Sequence, residues 1–500
     1  MGNLRKKIGV FLYPFFNKYS SVKSELITYP VSTSGYSSIP AEKMKAYNKV
    51  RFHGAKKLFC YNPFVNLFFD TSGNAVACCR SHQNVLGSYP QQTIREIWFG
   101  KKAEQMREHM LHNDLNMGCN YCKLQLESNR FQGLPSMHAE EFATSKIKFY
   151  PRIIEFELSN TCNLQCVMCS GRVSSAIRAN REEHEPLPLP YDDNFVEQLK
   201  EFIPHLKQAY FFGGEPFLIP IYFKIWEQII KINPYIKLYA VTNGTVMNER
   251  IEKILKKTNF NITVSLDSLI KQRAETIRSG CNFDEVKKNI FKFQAFSQNN
   301  LSISHTPMTV NWDETPDIIN FCNKINAIIN LSYVEGPAKF ALWSLMPDKL
   351  NEIYDFYNTV EWKENNKSFK AKYNIRVFNE WKQQVLFFKN RNQEILNSFS
   401  DINTEWEAET DKIEQFFTSL KTIRKLDQNK LEKFVSVFRR ILENTTQTPW
   451  YLKSLKNITQ SLSDVTIVSS PQFEQYLNNP ELLNQFFDES QQAEFFNEYY

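Results

Sequence analysis

The sequence predicts an α/β protein built on a partial (β/α)6 barrel, with a cysteine-bearing β-hairpin/helix module before it and a helical region after it. Three observations carry this prediction. Strand-like and helix-like segments alternate between residues 150 and 347. Eight of the ten cysteines fall between Cys60 and Cys169, in tight pairs and a triplet. Beyond residue 347 apolar residues recur at helical spacing instead.

Candidate barrel strands are 153–158, 208–212, 237–242, 261–266, 302–310 and 331–334. Between them lie amphipathic stretches. Val196, Leu199, Phe202 and Ile203 share one helical face; Tyr222, Ile225, Trp226 and Ile229 share another; Val286, Ile290 and Phe293 share a third. Repeated β–α units imply a parallel sheet with right-handed crossovers. Six units in about 190 residues suit a six-unit barrel, since the eight-unit form takes about 250. The chain of 500 residues leaves room for flanking domains. Residues 1–57 read as a basic, irregular arm, 58–130 as the cysteine module, 150–347 as the barrel and 348–500 as the helical region.

In the module, 64–69 and 75–79 read as strands around the turn sequence Asp70-Thr71-Ser72-Gly73-Asn74, followed by one helix over 93–110. In the C-terminal region Ile413, Phe416, Phe417 and Leu420, then Leu431, Phe434, Phe438 and Ile441, form stripes that read as core.

Bulk properties narrow the function. Hydrophobic residues are 42% and charged residues 23%, as in soluble globular proteins. A net charge of +6 does not by itself indicate nucleic-acid binding. The charge is uneven: residues 1–57 carry eleven Lys/Arg against two Asp/Glu, while 461–500 carry seven Asp/Glu and no Lys or Arg. The apolar stretch 8–16 follows Arg5-Lys6-Lys7 but is interrupted by Pro14 and lacks a small-residue cleavage site. Gly2 lacks the Ser or Thr that acylation wants at position 6, and no apolar run has membrane-spanning length. The expected location is cytoplasmic, where clustered cysteines read as metal ligands rather than disulfides. Cys322, among Ile318, Ile319, Phe321 and Ile325, reads as a core residue, and Cys281 stands alone.

The chemistry centres on Cys162-Asn163-Leu164-Gln165-Cys166-Val167-Met168-Cys169, directly after the first barrel strand. Barrel active sites lie at the C-terminal ends of the strands. Three thiolates from one loop bind three irons of a cubane cluster and leave the fourth open to a small molecule. They make a poor tetrahedral zinc set. At the end of the second strand comes Phe211-Phe212-Gly213-Gly214-Glu215-Pro216, whose glycines permit close backbone approach and whose Glu215 offers an acceptor for an amine.

The C-x3-C-x2-C spacing, followed one strand later by Gly-Gly-Glu-Pro, resembles the radical S-adenosylmethionine (SAM) superfamily. The context Cys-Asn-Leu-x-Cys-x-Met-Cys resembles its branch with SPASM or twitch auxiliary-cluster domains. The resemblance implies that Cys162, Cys166 and Cys169 hold a [4Fe–4S] cluster and that Gly213, Gly214 and Glu215 bind the SAM amino group. Ser265, in Val264-Ser265-Leu266-Asp267-Ser268, and Arg278 are implied contacts to the SAM ribose or carboxylate, with Asn311 a further candidate. The implied chemistry is one-electron cleavage of SAM to methionine and a 5′-deoxyadenosyl radical, which takes hydrogen from a C–H bond.

Cys60, Cys78, Cys79, Cys119 and Cys122 form the second group. Neighbouring strand residues face opposite sides, so one of Cys78 and Cys79 reaches a metal. A cysteine, a hairpin, a cysteine, Ile97-Trp98 on a helix and then C-x2-C resemble a twitch domain, which in the family usually follows the barrel. The resemblance implies an auxiliary iron–sulfur cluster on Cys60, Cys78, Cys119 and Cys122; a structural zinc is the alternative. It further implies a radical SAM oxidoreductase or maturase acting on a peptide or small molecule with net oxidation, and a one-electron reductant such as flavodoxin or ferredoxin. The competing expectations are a non-catalytic iron–sulfur or zinc scaffold or sensor, and a nucleic-acid modifier motivated by the basic arm.

Overall fold

The computed structural model describes residues 36–462, apart from 52, 128, 130, 132–133, 144–149, 298–299, 363–367, 400–401, 421–427 and 445–447, and also residue 478. Most of the basic arm, with its leader-like stretch, and nearly all of the acidic tail lie outside the described residues. The chain divides into two compact units. The first takes the described residues up to Phe68, then Asn74–Ile154 and Glu201–Lys207; the second takes Phe69–Gly73, Glu155–Lys200 and the described residues from Gln208 onward.

The first unit opens on α1 (Ala41–Val50), which corrects the expectation of an irregular segment through residue 57. Only Tyr47 of this helix is buried, so the apolar periodicity that would have announced it is missing. Tyr47 packs its ring 4.9 Å from that of Phe59. Arg51, just past the helix, forms a fully buried ion pair with Glu140. The Arg51 guanidinium also donates to the carbonyls of Leu58 (2.8 Å) and Phe59 (3.2 Å), the two residues before Cys60. Arg51→Ala leaves Glu140 buried and uncompensated; unfolding stability should drop by about 3–5 kcal/mol, read from the urea midpoint.

After α2 (Asn62–Val65) come β1 (Asn66–Phe69) and β2 (Asn74–Val76), so the first expected strand starts two residues late, behind a helical turn with Pro63 at its start. The expected turn is present: Ser72 N–H donates to Asp70 Oδ1 (2.8 Å) and Gly73, at φ 89°, donates to Asp70 O (3.2 Å). β2 pairs antiparallel with β3 (Gly87–Ser88). The single helix expected over 93–110 is two, α3 (Ile94–Trp98) and α4 (Lys101–Leu111). Thr93 and Glu96 close a capping box on α3, and the chain breaks at Gly100, where a Cβ would sit 2.4 Å from Glu96 O. α5 (Asn120–Glu127) begins between Cys119 and Cys122.

β4 (Ile153–Phe156) runs across the boundary at residue 154, and the second unit then carries β5 (Gln165–Cys166), β6 (Gln208–Phe211), β7 (Lys237–Thr242), β8 (Asn259–Ser265), β9 (Arg278–Ser279), β10 (Leu301–His305) and β11 (Ile328–Leu331). The six barrel strands lie in the order β4-β6-β7-β8-β10-β11. From β6 to β11 each neighbouring pair is parallel. The helices α6 (Ser175–Asn180), α7 (Asp193–Phe202), α8 (Pro220–Ile232), α9 (Glu249–Lys257), α10 (Lys271–Ile277), α11 (Phe283–Phe296) and α12 (Thr315–Lys324) intervene. This is the α/β partial barrel that the alternation predicted. One face of each strand packs on the helices: Phe211 lies 5.3 Å from Trp226, and Trp226 lies 5.4 Å from Phe260. The fifth strand ends at His305 rather than 310, because Pro307 has no N–H to continue a ladder. The sixth is 328–331 rather than 331–334. Cys322 is fully buried on α12, as expected.

α13 (Pro347–Asn358), α14 (Phe369–Asn397), α15 (Ile402–Leu420), α16 (Gln428–Asn444) and α17 (Pro449–Leu462) form the helical C-terminal region, within the same unit as the barrel. Along α14 the buried residues are Ala371, Asn374, Phe378, Trp381, Val385, Phe388, Asn392 and Ile395, a strict three–four repeat. Asn374 caps the barrel edge: its Oδ1 accepts from Ile329 N–H (2.9 Å) and its Nδ2 donates to Ala327 O (3.0 Å). The predicted phenylalanine stripes on α15 and α16 form one hydrophobic core with Tyr451, Leu452 and Leu455. No helix among the described residues is long and apolar enough to cross a membrane.

Candidate functional site

The loop that follows β4 carries Cys162, Cys166 and Cys169, and short polar side chains hold it in shape. Ser175 Oγ accepts from Cys162 N–H and donates to Cys162 O, both at 3.1 Å. Ser174, the N-cap of α6, donates to Leu164 O at 2.6 Å, and Asn160 Nδ2 donates to Gly171 O at 2.8 Å. β5 pairs antiparallel with β9, which sets Cys166 opposite Arg278. Arg181 donates to the carbonyls of Cys166 and Cys169.

The three thiols sense one another. A hydrogen bond from Cys169 pulls the Cys166 thiol down and Arg278 adds to this; the same bond pushes Cys169 up, and burial pushes Cys162 up. Arg278 Nη1 lies 3.8 Å from Cys166 Sγ, and its Nη2 lies 2.6 Å from Asp267 Oδ2. Burial pushes the Asp267 carboxyl up, but Arg278 and the neighbouring His305 more than offset this and hold it below the usual range. Asp267 Oδ1 accepts from Thr306 N–H at 2.9 Å. Arg278 Nε is buried and has no hydrogen-bond partner among the described residues. An unmatched buried guanidinium N–H beside a thiol already drawn toward thiolate is a donor set for an anionic group. These residues fit a cluster on the thiols with a carboxylate ligand next to it.

Gly213 and Gly214 bring a second loop against the first. A Cβ on Gly213 would sit 2.4 Å from Ser159 O, and one on Gly214 2.2 Å from Thr161 O. The close approach that the sequence reading assigned to a ligand is here made by the protein's own backbone. Gly214 and Glu215 N–H groups donate to Ser159 O (3.0 Å) and Thr161 O (2.8 Å). The Glu215 side chain is fully buried rather than turned to an open site. Its Oε1 accepts from Phe217 N–H (3.1 Å) and Thr242 Oγ1 (2.7 Å), and its Oε2 accepts from Asn243 N–H (2.7 Å). Glu215 thereby fixes Asn243, whose Nδ2 lies 3.9 Å from Cys162 Sγ and 3.0 Å from Asn163 Oδ1.

Burial pushes Glu215 up to about 7 from an ordinary value of 4.5, against its three donors. The folded state then binds this proton more tightly than the unfolded state does. Its contribution is present in full below about pH 4.5 and is lost as pH rises through 7, up to about 3 kcal/mol. In thermal melts of the chain without metal, the difference between wild type and Glu215→Gln should therefore shift in favour of Gln between pH 5 and 8.

Ser265 ends β8 and pairs with Ser304. Asn311 is fully buried, with Nδ2 on Asp267 O (2.8 Å) and Thr306 O (3.2 Å); it locks two loops instead of facing a ligand. On the sheet face away from the helices, register stacks side chains in tiers. Tyr210 lies beside Tyr239 with rings 4.4 Å apart; Thr263 lies beside Ser302, and Ser265 and Asn330 flank Ser304. From the tyrosine tier to the C-terminal ends of β6, β7, β8, β10 and β11, this face carries no charged side chain.

In the first unit, Cys60, Cys78, Cys119 and Cys122 line one cavity, with Arg80 and Ser81 on its wall. Ser81 N–H donates to Cys78 O at 3.0 Å, closing a turn. The turn sets Cys78 on the cavity wall and leaves Cys79 exposed and off it. Arg80 stacks over the Tyr121 ring at 4.9 Å. Burial pushes Cys60 up to about 11 and Cys119 up to about 12, and holds Cys78 and Cys122 well above the ordinary thiol range. Four neighbouring thiols, Cys60 and Cys122 buried and Cys78 and Cys119 half-buried, that need a cation to give up their protons fit a cluster. Cys60, Cys78, Cys119, Cys122, Cys162, Cys166 and Cys169 are all thiols, none of them in a disulfide. Sequence reading missed Ser81, and also Arg51, Glu140, Asp267 and His305, whose partners lie far along the chain.

The chain is 29% identical over 182 residues to a probable GTP 3′,8-cyclase of Methanococcus maripaludis (36% of this chain, 58% of that protein). It is 25% identical over 172 residues to a GTP 3′,8-cyclase of Clostridium botulinum (34% and 52%). It thus spans little more than half the length of these curated relatives. Among solved structures, anSMEcpe with bound AdoMet overlaps 41% of this chain and 60% of its own at 18% identity and a TM-score of 0.33, too low to carry an argument. Residues 156–322 match the model of the radical SAM superfamily, and residues 60–123 match the SPASM iron–sulfur cluster-binding domain. The chain thus carries a radical SAM domain over residues 156–322 and, ahead of it in sequence, a SPASM iron–sulfur cluster-binding domain over residues 60–123.

Proposed function

We propose that this radical SAM enzyme is an oxidoreductase or maturase that takes hydrogen from an uncharged peptide or small-molecule substrate and oxidises it. Cys162, Cys166 and Cys169 hold the [4Fe–4S] cluster, and Cys60, Cys78, Cys119 and Cys122 hold the auxiliary cluster. Bound there, the cluster and SAM supply a 5′-deoxyadenosyl radical. Arg278, braced by Asp267, pairs with the SAM carboxylate, and Ser265 faces its ribose. Gly213, Gly214 and Glu215 set the loop that meets the methionine amine. A cluster held by Cys60, Cys78, Cys119 and Cys122 would supply an acceptor for the electron left on the substrate, and a flavodoxin or ferredoxin would supply the first electron. The protein works in the cytoplasm.

The observation that carries this reading is the unmatched Arg278 N–H beside Cys166, on the loop that also carries Cys162 and Cys169. The tiers of tyrosine, serine and threonine favour a neutral substrate. A nucleoside triphosphate, as taken by the cyclase relatives, needs several fixed cations, and the wall described above offers none. Reconstituted anaerobically and given SAM and dithionite, the protein should release 5′-deoxyadenosine, and added GTP should give no cyclised product. No 5′-deoxyadenosine from a cluster-loaded chain would instead support a scaffold or sensor; GTP turnover would overturn the neutral-substrate reading.

A further inference from the structure

Resting on the four-cysteine assignment above, we infer that Ser81 tunes the auxiliary cluster by donating its hydroxyl hydrogen bond to a sulfur of that cluster. Ser81 lines the same cavity as Cys60, Cys78, Cys119 and Cys122. It is 1% exposed, and its Oγ has no hydrogen-bond partner among the described residues. A buried hydroxyl left unpaired costs about 1–3 kcal/mol, so a native site supplies a partner. No acceptor on the described cavity wall, not even the likewise unpaired Asn62 Oδ1, lies within hydrogen-bond reach of it, and the space the wall encloses is where sulfur arrives.

The turn explains the placement. Ser81 follows Cys78 by three residues, and the Ser81 N–H to Cys78 O bond of 3.0 Å folds the serine back over the Cys78 end of the cavity. Cys60 already has a donor of this kind: Asn62 N–H lies 3.4 Å from its Sγ. Hydrogen bonds to cluster and ligand sulfurs withdraw electron density and stabilise the reduced state. Ser81 is therefore a positioning and tuning residue, and its effect is on reduction potential rather than on ligation.

The test uses the full chain with Cys162, Cys166 and Cys169 changed to alanine, so that the auxiliary cluster is the sole one. Iron and sulfide are counted, and the midpoint potential is read by EPR-monitored titration. Ser81→Ala should keep its iron and sulfide and become harder to reduce by about tenfold in the equilibrium constant, a fall of about 59 mV for one electron. Ser81→Thr, which keeps the hydroxyl, should stay near the parent value. An unchanged potential in Ser81→Ala would overturn the inference. So would equal shifts in both variants, which would mean packing, or loss of iron from Ser81→Ala, which would mean a scaffold role. Zinc in place of iron in the parent would bring down the cluster assignment itself, an outcome separable from all of these.

Discussion

Changing Cys162, Cys166 and Cys169 together to alanine abolishes 5′-deoxyadenosine formation, down to the level of a protein-free control. The three thiolates are the proposed protein ligands of the catalytic cluster, which would supply the electron for SAM cleavage. The loss should be chemical rather than structural. The loop keeps its shape through Ser174, Ser175, Asn160 and the β5–β9 pairing, none of which uses a sulfur atom. Circular dichroism and the urea midpoint of the variant should match wild type within about 1 kcal/mol. SAM cleavage at more than a hundredth of the wild-type rate would mean that the cluster sits elsewhere.

The second large effect separates two neighbouring cysteines. Cys78→Ala should remove the auxiliary cluster, about half of the total iron, while Cys79→Ala should leave iron content unchanged. The turn from Cys78 to Ser81 sends one side chain to the cavity and the other to solvent. Iron and sulfide assays on the two single variants decide it. Iron lost from the Cys79 variant and kept by the Cys78 variant would mean that the turn rearranges on loading. Cys119→Ala and Cys122→Ala should behave like Cys78→Ala, since both thiols line the same wall.

The barrel was legible because two periodicities alternate in it. Residues such as Ile262 and Val264 alternate with Asn261 and Thr263 along β8, while Ile225, Trp226 and Ile229 share one side of α8. The phenylalanine stripes of α15 and α16 were legible for the same reason. Where a periodicity was absent, the reading failed. α1 buries Tyr47 alone, and the break between α3 and α4 falls at Gly100, where any side chain would collide with Glu96 O. The cysteine ligands proposed for both sites were readable from spacing and from resemblance. Their supports were not, because those supports join distant residues: Arg51 with Glu140, Asn243 with Cys162, Arg278 with Asp267 and Cys166. Glu215 is the instructive case. Its motif announced a ligand contact, whereas its side chain is spent on three donors that join the loops after β6 and β7. Only tertiary contacts distinguish an acceptor facing a ligand from one facing the protein.

The most direct test of the two-cluster account is an iron, sulfide and zinc count on the anaerobically reconstituted chain, beside the Cys162/Cys166/Cys169→Ala variant. The account predicts about eight iron per wild-type chain and about four in the variant, with negligible zinc in either. About four iron falling to zero, with one zinc in both proteins, would contradict it and make the four-cysteine cavity a structural zinc site.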